Sequence, residues 1–362
     1  MNICFFIGNL NLSGGTERVT TVIANELAKK GYNIFILNLY NGRSPFFQLS
    51  TDIINNFVYS KGHSGIKSII STPTTIFKIR RYVKKNMINI FIDVDTILSI
   101  YSTPALIKLN IKHFSWEHFN YNANLGKIKR KIARRLTTKF SDLIITLTNK
   151  DRETWINNGY HNTKVITINN PITVNNKRNS SDNLKNNIFL AAGRLTNQKG
   201  FDLLLHSWSL IIKNNPGWIL KIVGDGEERD NLINLITLLN IKNSVELHDR
   251  TNNISRYYNE ASFFILSSRF EGFGLVLLEA QSYGLPVISF DCEMGPSEII
   301  KHNETGWLCE NGNIYALSNA IEHAININEK DYQTYQNASI INSSRFNVDN
   351  IIESWCNIIN IK

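Results

Sequence analysis

Apolar runs of five or six residues recur along this chain of 362 residues. Each gives way to a glycine or polar turn and then to apolar residues at helical spacing. In the first half they fall at 3–7, 34–39, 53–58, 88–92, 111–115 and 142–147, and in the second at 188–192, 219–223 and 262–266. A strand this short and this evenly apolar is covered on both faces, and strands that alternate with helices form a parallel, doubly wound sheet. The pattern predicts an α/β chain long enough for two domains, each with its own core. The polar, aperiodic stretch 174–187 reads as a linker between a first domain over 1–173 and a second over 188–345. Residues 346–362 form a last segment, apolar at helical spacing.

The most chemically informative stretch is Glu271-Gly272-Phe273-Gly274-Leu275-Val276-Leu277-Leu278-Glu279. It follows the apolar run 262–266 and opens a helix that stops at Gly284-Leu285-Pro286. Glu271 is thus on a strand-to-helix loop, with Glu279 about a turn and a half inside the helix. At ~1.5 Å rise per residue the carboxylates are too far apart to share one proton or one scissile bond. They suit two ends of one elongated polar ligand, and a carboxylate that accepts from two hydroxyls suits a sugar diol. Gly272 and Gly274 let backbone N–H groups approach a phosphate at the helix N-terminus. The bland alternative is a loop acid plus an exposed helix acid.

Neighbouring loops weigh against that alternative. Arg194-Leu195-Thr196-Asn197-Gln198-Lys199-Gly200 follows the run 188–192, and two cations five apart at a helix start suit a diphosphate. Gly224-Asp225-Gly226 follows the run 219–223. In a parallel sheet these loops share the carboxyl edge, where ligands bind.

Together these pieces resemble the retaining glycosyltransferases of family 4, whose GT-B fold sets two doubly wound Rossmann-like domains around a central cleft. The matching residues are Gly14-Gly15-Thr16-Glu17-Arg18-Val19, Gly193-Arg194 with Lys199-Gly200, Val223-Gly224-Asp225-Gly226, and Glu271 with Glu279, Ala280, Gly284 and Pro286. Gly295-Pro296-Ser297-Glu298 and Gly306-Trp307-Leu308 extend the match, which is densest from 188 to 310. The resemblance implies sugar transfer from a nucleotide-sugar donor with the anomeric configuration kept. It places the donor on the second domain and the acceptor on the first, with the C-terminal helix crossing back onto the first. UDP is the default nucleotide by family frequency alone.

The implied roles are Glu271 on the transferred sugar and Glu279 on the ribose. Arg194 and Lys199 would stabilise the charge on the leaving diphosphate. Gly15, Gly224, Gly272, Phe273 and Gly274 line the donor. No general base is assigned, because a donor phosphate oxygen can deprotonate the acceptor. No metal or other cofactor is expected.

His118 lies just past the run 111–115, in a loop where the family places a histidine near the transferred sugar. His113, inside the run, reads as a core residue. Asp93-Val94-Asp95 is a DxD, the metal signature of the other large glycosyltransferase fold, but it stands in the first half, away from the donor motifs. It reads as strand-end acids and a helix cap.

Charge is unevenly spread. Residues 1–172 carry +14 and residues 173–362 carry −5. Seven cations lie between Asp52 and Asp93 with no acid among them, and seven more between Glu117 and Asp142. In the second group Leu125, Ile128, Ile132, Leu136 and Phe140 recur at three and four residues, which predicts a basic amphipathic helix. An anionic membrane presenting a lipid-linked saccharide acceptor is the preferred partner, and nucleic acid is not expected. The four cysteines show no metal spacing, and no run approaches the ~20 apolar residues of a spanning helix. The expectation is therefore a cytoplasmic enzyme, peripheral on the inner face of the cell membrane, acting in surface polysaccharide synthesis such as that of lipopolysaccharide O-antigen. Rival readings are a nucleotide-sugar epimerase or phosphorylase on the same fold, and a non-enzymatic basic protein that binds membrane or nucleic acid.

Overall fold

The computed structural model describes residues 1–62, 70–123, 128–158, 163–174 and 186–360. It divides into two compact units, one built from Met1–Thr173 with Val348–Lys362, the other from Val174–Asn347. Most of the linker expected at 174–187 lies outside the described residues, as do Leu125 and Lys127 of the basic stretch.

The first unit holds β1 (Asn2–Ile7), β2 (Asn33–Tyr40), β3 (Ile54–Tyr59), β4 (Ile90–Val94), β5 (Lys112–Trp116), β6 (Leu143–Thr146) and β7 (Lys164–Thr167). They form one parallel sheet in the order β3-β2-β1-β4-β5-β6-β7. Six of the strands are those the apolar runs predict. The edge strand β7 has no buried residue, so its sequence carries no continuous apolar run. The helix Gly15–Lys29 buries Val19, Ile23, Ala24 and Leu27 along one stripe, and Gly31 at φ +88° turns the chain toward β2.

The C-terminal helix Val348–Ile359 belongs to this first unit. Its buried stripe is Ile351, Ile352, Trp355, Ile358 and Ile359. The Trp355 ring meets Trp116 at the end of β5, with centroids 4.8 Å apart, and Phe5 of β1, with centroids 6.1 Å apart.

The expected basic helix is present as Ile128–Phe140, with its apolar residues turned outward rather than onto the sheet. Its buried side is Arg130, Ala133, Arg134, Thr137 and Thr138, while Ile128 is 76% exposed and Ile132 and Phe140 face solvent. The inversion follows from what this helix meets. Arg130 makes a two-pronged pair with Asp95 at 2.8 and 3.1 Å and stands 3.9 Å from Glu117. One turn on, Arg134 donates to the carbonyls of Asn120 and Ala123. Carboxylates buried at the ends of β4 and β5 need cations more than the sheet needs further apolar cover. Arg80, in the other basic stretch, caps the helix Ser99–Leu106 by donating to the carbonyls of Ala105 and Ile107.

The second unit holds β8 (Ile188–Ala192), β9 (Ile219–Val223), β10 (Val245–His248), β11 (Phe263–Leu266), β12 (Val287–Phe290) and β13 (Gly306–Cys309). They form a parallel sheet in the order β10-β9-β8-β11-β12-β13. Phe189 of β8 stacks on Phe263 of β11 at 5.0 Å, at the centre of a core that takes in Trp208, Trp218 and Tyr332.

Candidate active site

Strand order reverses between β8 and β11, the position in a parallel sheet where ligands bind, and the loops that leave their carboxyl ends meet there. The β8 loop spans 193–200 and leads into the helix Phe201–Ile211; the β11 loop spans 267–274 and leads into the helix Leu275–Ser282. Lys199 Nζ reaches across to Glu271 Oε1 at 2.6 Å. Ser268 Oγ donates to the same carboxylate oxygen at 2.6 Å. The lysine stem runs over Gly193, where an added Cβ would come within 3.4 Å of Lys199 Cε.

Further bonds lace the two loops together. Arg269 N donates to the Gln198 carbonyl at 2.8 Å, and Ser267 Oγ donates to the Lys199 carbonyl at 3.0 Å. Arg269 grips Asp202 with two bonds of 2.8 and 2.6 Å. Gly200, at φ +61°, lies so close to the Ser267 carbonyl that any Cβ would collide. The same holds for Gly224 against the carbonyl of Gly193, so Gly224 serves close packing between the β8 and β9 loops. The Arg194 side chain is exposed and makes no ion pair or hydrogen bond among the described residues.

Gly274, at φ +92°, starts the helix that carries Glu279. The Phe273 side chain is buried edge-on to Phe346, at 6.0 Å, and Gly272 is half-buried beside it. Glu279 is buried and accepts from the Tyr258 hydroxyl at 3.0 Å. Tyr258 in turn stacks on Tyr283 at 5.2 Å. Ser268 and Tyr258 are members of the site that the sequence reading missed. Ser268 could have been suspected from its place at the end of a strand; nothing near Tyr258 in sequence marks it. Burial, with the charge of Glu271 adding, pushes the Cys292 thiol up to about 12, so it is no nucleophile.

In the first unit Gly15 opens the helix Gly15–Lys29, and Gly14 before it has no side chain to cap with. The Glu17 carboxylate reaches back over Gly14, as the third helical residue does in a capping box. His118 follows β5 and is buried, its ring 4.2 Å from the Trp116 ring. Its Nε2 has no hydrogen-bond partner among the described residues. Burial pushes its pKa down to about 3, which leaves a neutral imidazole.

The DxD carboxylates are both engaged by protein groups. Asp93 accepts from Ser99 at 2.8 Å and Ser102 at 2.6 Å and lies 2.8 Å from His113 Nε2; Asp95 is held by Arg130. His113 is therefore buried as a polar partner. Near His118, Glu117 accepts from Thr96 at 2.6 Å, and burial, then the charge of Asp95, raises its pKa. Asp151 accepts from Tyr121 N at 2.8 Å, and burial lifts its carboxyl to about 7. Three carboxyls thus face two guanidiniums, and burial favours the protonated form of Glu117 and Asp151. Among the described residues no group of His, Cys, Asp and Glu has the makings of a metal site.

The comparisons with known proteins identify the family. Residues 13–176 match the family described as Glycosyltransferase Family 4, and residues 174–340 that described as Glycosyl transferases group 1. A glycosyltransferase of Haemophilus influenzae is 37% identical over 357 residues, 99% of each chain. The lipopolysaccharide 1,6-galactosyltransferase of Salmonella typhimurium is 26% identical over 87% of each. Among solved structures, Anabaena HepE in complex with UDP and glucose superimposes with a TM-score of 0.82 at 18% identity, over 99% of both chains. The chain is a glycosyltransferase of family 4, built on the GT-B fold.

Proposed function

We propose that this glycosyltransferase moves a sugar from a nucleotide sugar, UDP-linked, to a saccharide acceptor in the synthesis of a bacterial surface polysaccharide, with retention and without metal. The observation that carries the reading is the Lys199–Glu271 pair across the strand-order reversal, with Glu279 held by Tyr258 in the helix that follows the β11 loop. Glu271 takes hydroxyls of the transferred sugar, Glu279 takes the ribose, and Lys199 with the exposed Arg194 takes the diphosphate. The UDP and glucose on the Anabaena relative support a UDP-sugar, and the Salmonella relative supports a lipopolysaccharide-like acceptor. In the first unit a neutral His118 serves the reaction as a hydrogen-bonding group near the sugar.

The acceptor is lipid-linked and the enzyme works peripherally on the inner face of the cell membrane. No described helix is long and apolar enough to cross a membrane. Support comes from the outer side of the helix Ile128–Phe140, where exposed Ile128, Ile132 and Phe140 alternate with exposed Lys129, Lys131, Arg135 and Lys139. Each such cation adds about 1 kcal/mol beside anionic lipid, and apolar insertion holds what charge recruits.

The central test is a thermal-shift screen of UDP-, GDP- and ADP-sugars, followed by product analysis with anomeric couplings read by NMR. A UDP-sugar should stabilise the protein, the product should keep the donor's anomeric configuration, and EDTA should leave the rate unchanged. An inverted product, or activity lost in EDTA and restored by Mg²⁺, would overturn those parts of the reading. Donor converted in the absence of acceptor would favour the epimerase or phosphorylase. For the membrane, Gln at Lys129, Lys131, Arg135 and Lys139 should release the protein from anionic vesicles. Equal sedimentation of variant and wild type would sink that assignment.

A further inference from the structure

Three aromatic rings of the first unit form a relay that starts on the C-terminal helix. Trp355 packs against Trp116 with centroids 4.8 Å apart at 72°, and Trp116 packs against His118 at 4.2 Å and 55°. Phe5 closes the other side, 6.1 Å from Trp355 and 6.5 Å from Trp116. All four side chains are at least nine-tenths buried. None of the three is oriented by a hydrogen bond at its buried nitrogen, because Trp116 Nε1, Trp355 Nε1 and His118 Nε2 lack partners among the described residues. Ring packing therefore orients them at these atoms, whereas the backbone beside them is pinned, with Glu117 N on the Ile145 carbonyl and Phe119 N on the Glu117 carboxylate. The strand end is therefore fixed by polar contacts and the imidazole by the rings behind it. Trp355 stands eight residues after Asn347, the last residue of the second unit.

We propose that Trp355 is a positioning residue for His118, acting through the Trp116 ring, so that the C-terminal helix sets the imidazole's placement for sugar transfer. The inference rests on the reading of His118 as a group that serves the reaction. It follows from the packing that removing the Trp355 indole opens the space behind Trp116. No polar contact then returns that ring to its place, and the imidazole loses its wall and meets water. The charged groups of the neighbouring cluster are Glu117, on the same loop, Asp95 on the β4 loop, Asp151 on the helix Asn149–Asn158, and Arg130 and Arg134 from the helix Ile128–Phe140. Trp355 makes no hydrogen bond or cation–π pair with them among the described residues, so its removal takes no partner from the charge cluster.

The test is Trp355→Ala, with Trp355→Phe as the conservative variant and Trp355→Leu should the alanine variant fail to fold by circular dichroism. In the wild type the His118 imidazole resonances should stay constant from pH 5 to 9. In Trp355→Ala or Trp355→Leu the imidazole should titrate near its ordinary value of about 6.5. The same variants should lose about tenfold or more in kcat, since small misplacements of reacting groups are costly, with UDP affinity within about twofold of wild type. Trp355→Phe should recover most of both properties. A folded Trp355→Ala or Trp355→Leu with a non-titrating His118 and wild-type kcat would overturn the proposal. A shifted titration with unchanged kcat would uphold the relay and remove His118 from the reaction, which full turnover in His118→Gln would show independently.

Discussion

Glu271→Gln separates the two jobs assigned to the Lys199–Glu271 pair. The glutamine keeps the shape of the side chain and can still accept from Ser268, so the change is confined to charge. At 2.6 Å and an effective dielectric constant of ~20, the gross attraction is about 6 kcal/mol. The side chains are 16% and 8% exposed, and desolvation with residual screening brings the net coupling to about 1–3 kcal/mol. A diphosphate that recruits Lys199 competes with Glu271 for the ammonium, so part of the pair's energy opposes nucleotide binding. Releasing Lys199 should therefore tighten UDP by about 1–2 kcal/mol, a five- to thirtyfold lower Kd by titration calorimetry. Lys199→Met should weaken UDP tenfold or more. Both variants should lose about a hundredfold or more in kcat, because each removes a group that acts on the transition state. If Glu271→Gln weakened UDP as much as Lys199→Met does, the competition argument would be wrong, and Glu271 would belong with the nucleotide.

Other outcomes follow from single contacts. Tyr258→Phe removes the 3.0 Å bond to Glu279 and should weaken UDP about three- to tenfold, with the melting curve close to wild type; unchanged affinity would detach Glu279 from the nucleotide. Gly224→Ala drives a methyl into the Gly193 carbonyl and should cost about 1–3 kcal/mol of stability. Gly8→Ala, which meets nothing within 4 Å, should be near neutral; equal melts for the two would refute the packing role. Asp151, with its folded pKa raised to about 7, binds a proton that the unfolded chain has released by pH ~4. Its contribution is full below that pH and is lost as pH rises through 7, by up to about 4 kcal/mol. Asp151→Asn should therefore stabilise the protein at pH 8 relative to wild type and not at pH 4, as read by urea denaturation at the two pH values. The opposite sign would show the carboxylate to be stabilised by Arg134.

The parallel architecture was legible because strands covered on both faces leave unbroken apolar runs, and β1, β2, β8, β9 and β11 all fall on such runs. Edge strand β7 did not, because half its surroundings are solvent. Glu271, Arg194 and Lys199 stood out by their place on strand-to-helix loops, and Glu279 by its place in the helix after one. The contact between Lys199 and Glu271 did not, since it spans 72 residues and depends on β8 and β11 being neighbours, a matter of strand order that no local pattern encodes. The helix Ile128–Phe140 shows the reverse failure. Its periodicity was legible and its orientation was not, because apolar spacing says which residues share a side and not what lies opposite. Asp95 and Glu117, brought there by the sheet, decided the matter.

The first unit is discontinuous, and this gives synthesis a schedule. Ribosomes make the chain from the N-terminus, so strands β1 to β7 are complete while the helix that covers Phe5 and Trp116 has yet to be translated. The 174 residues of the second unit come in between, roughly 10–35 s of elongation at bacterial rates. During that interval the nascent first unit exposes an apolar strip sized for Ile351, Ile352, Trp355 and Ile358, a natural holding point for a chaperone. A chain cut short after Asn347 and before Ile351 would then have a whole second unit and a first unit without its seal, a product open to proteases.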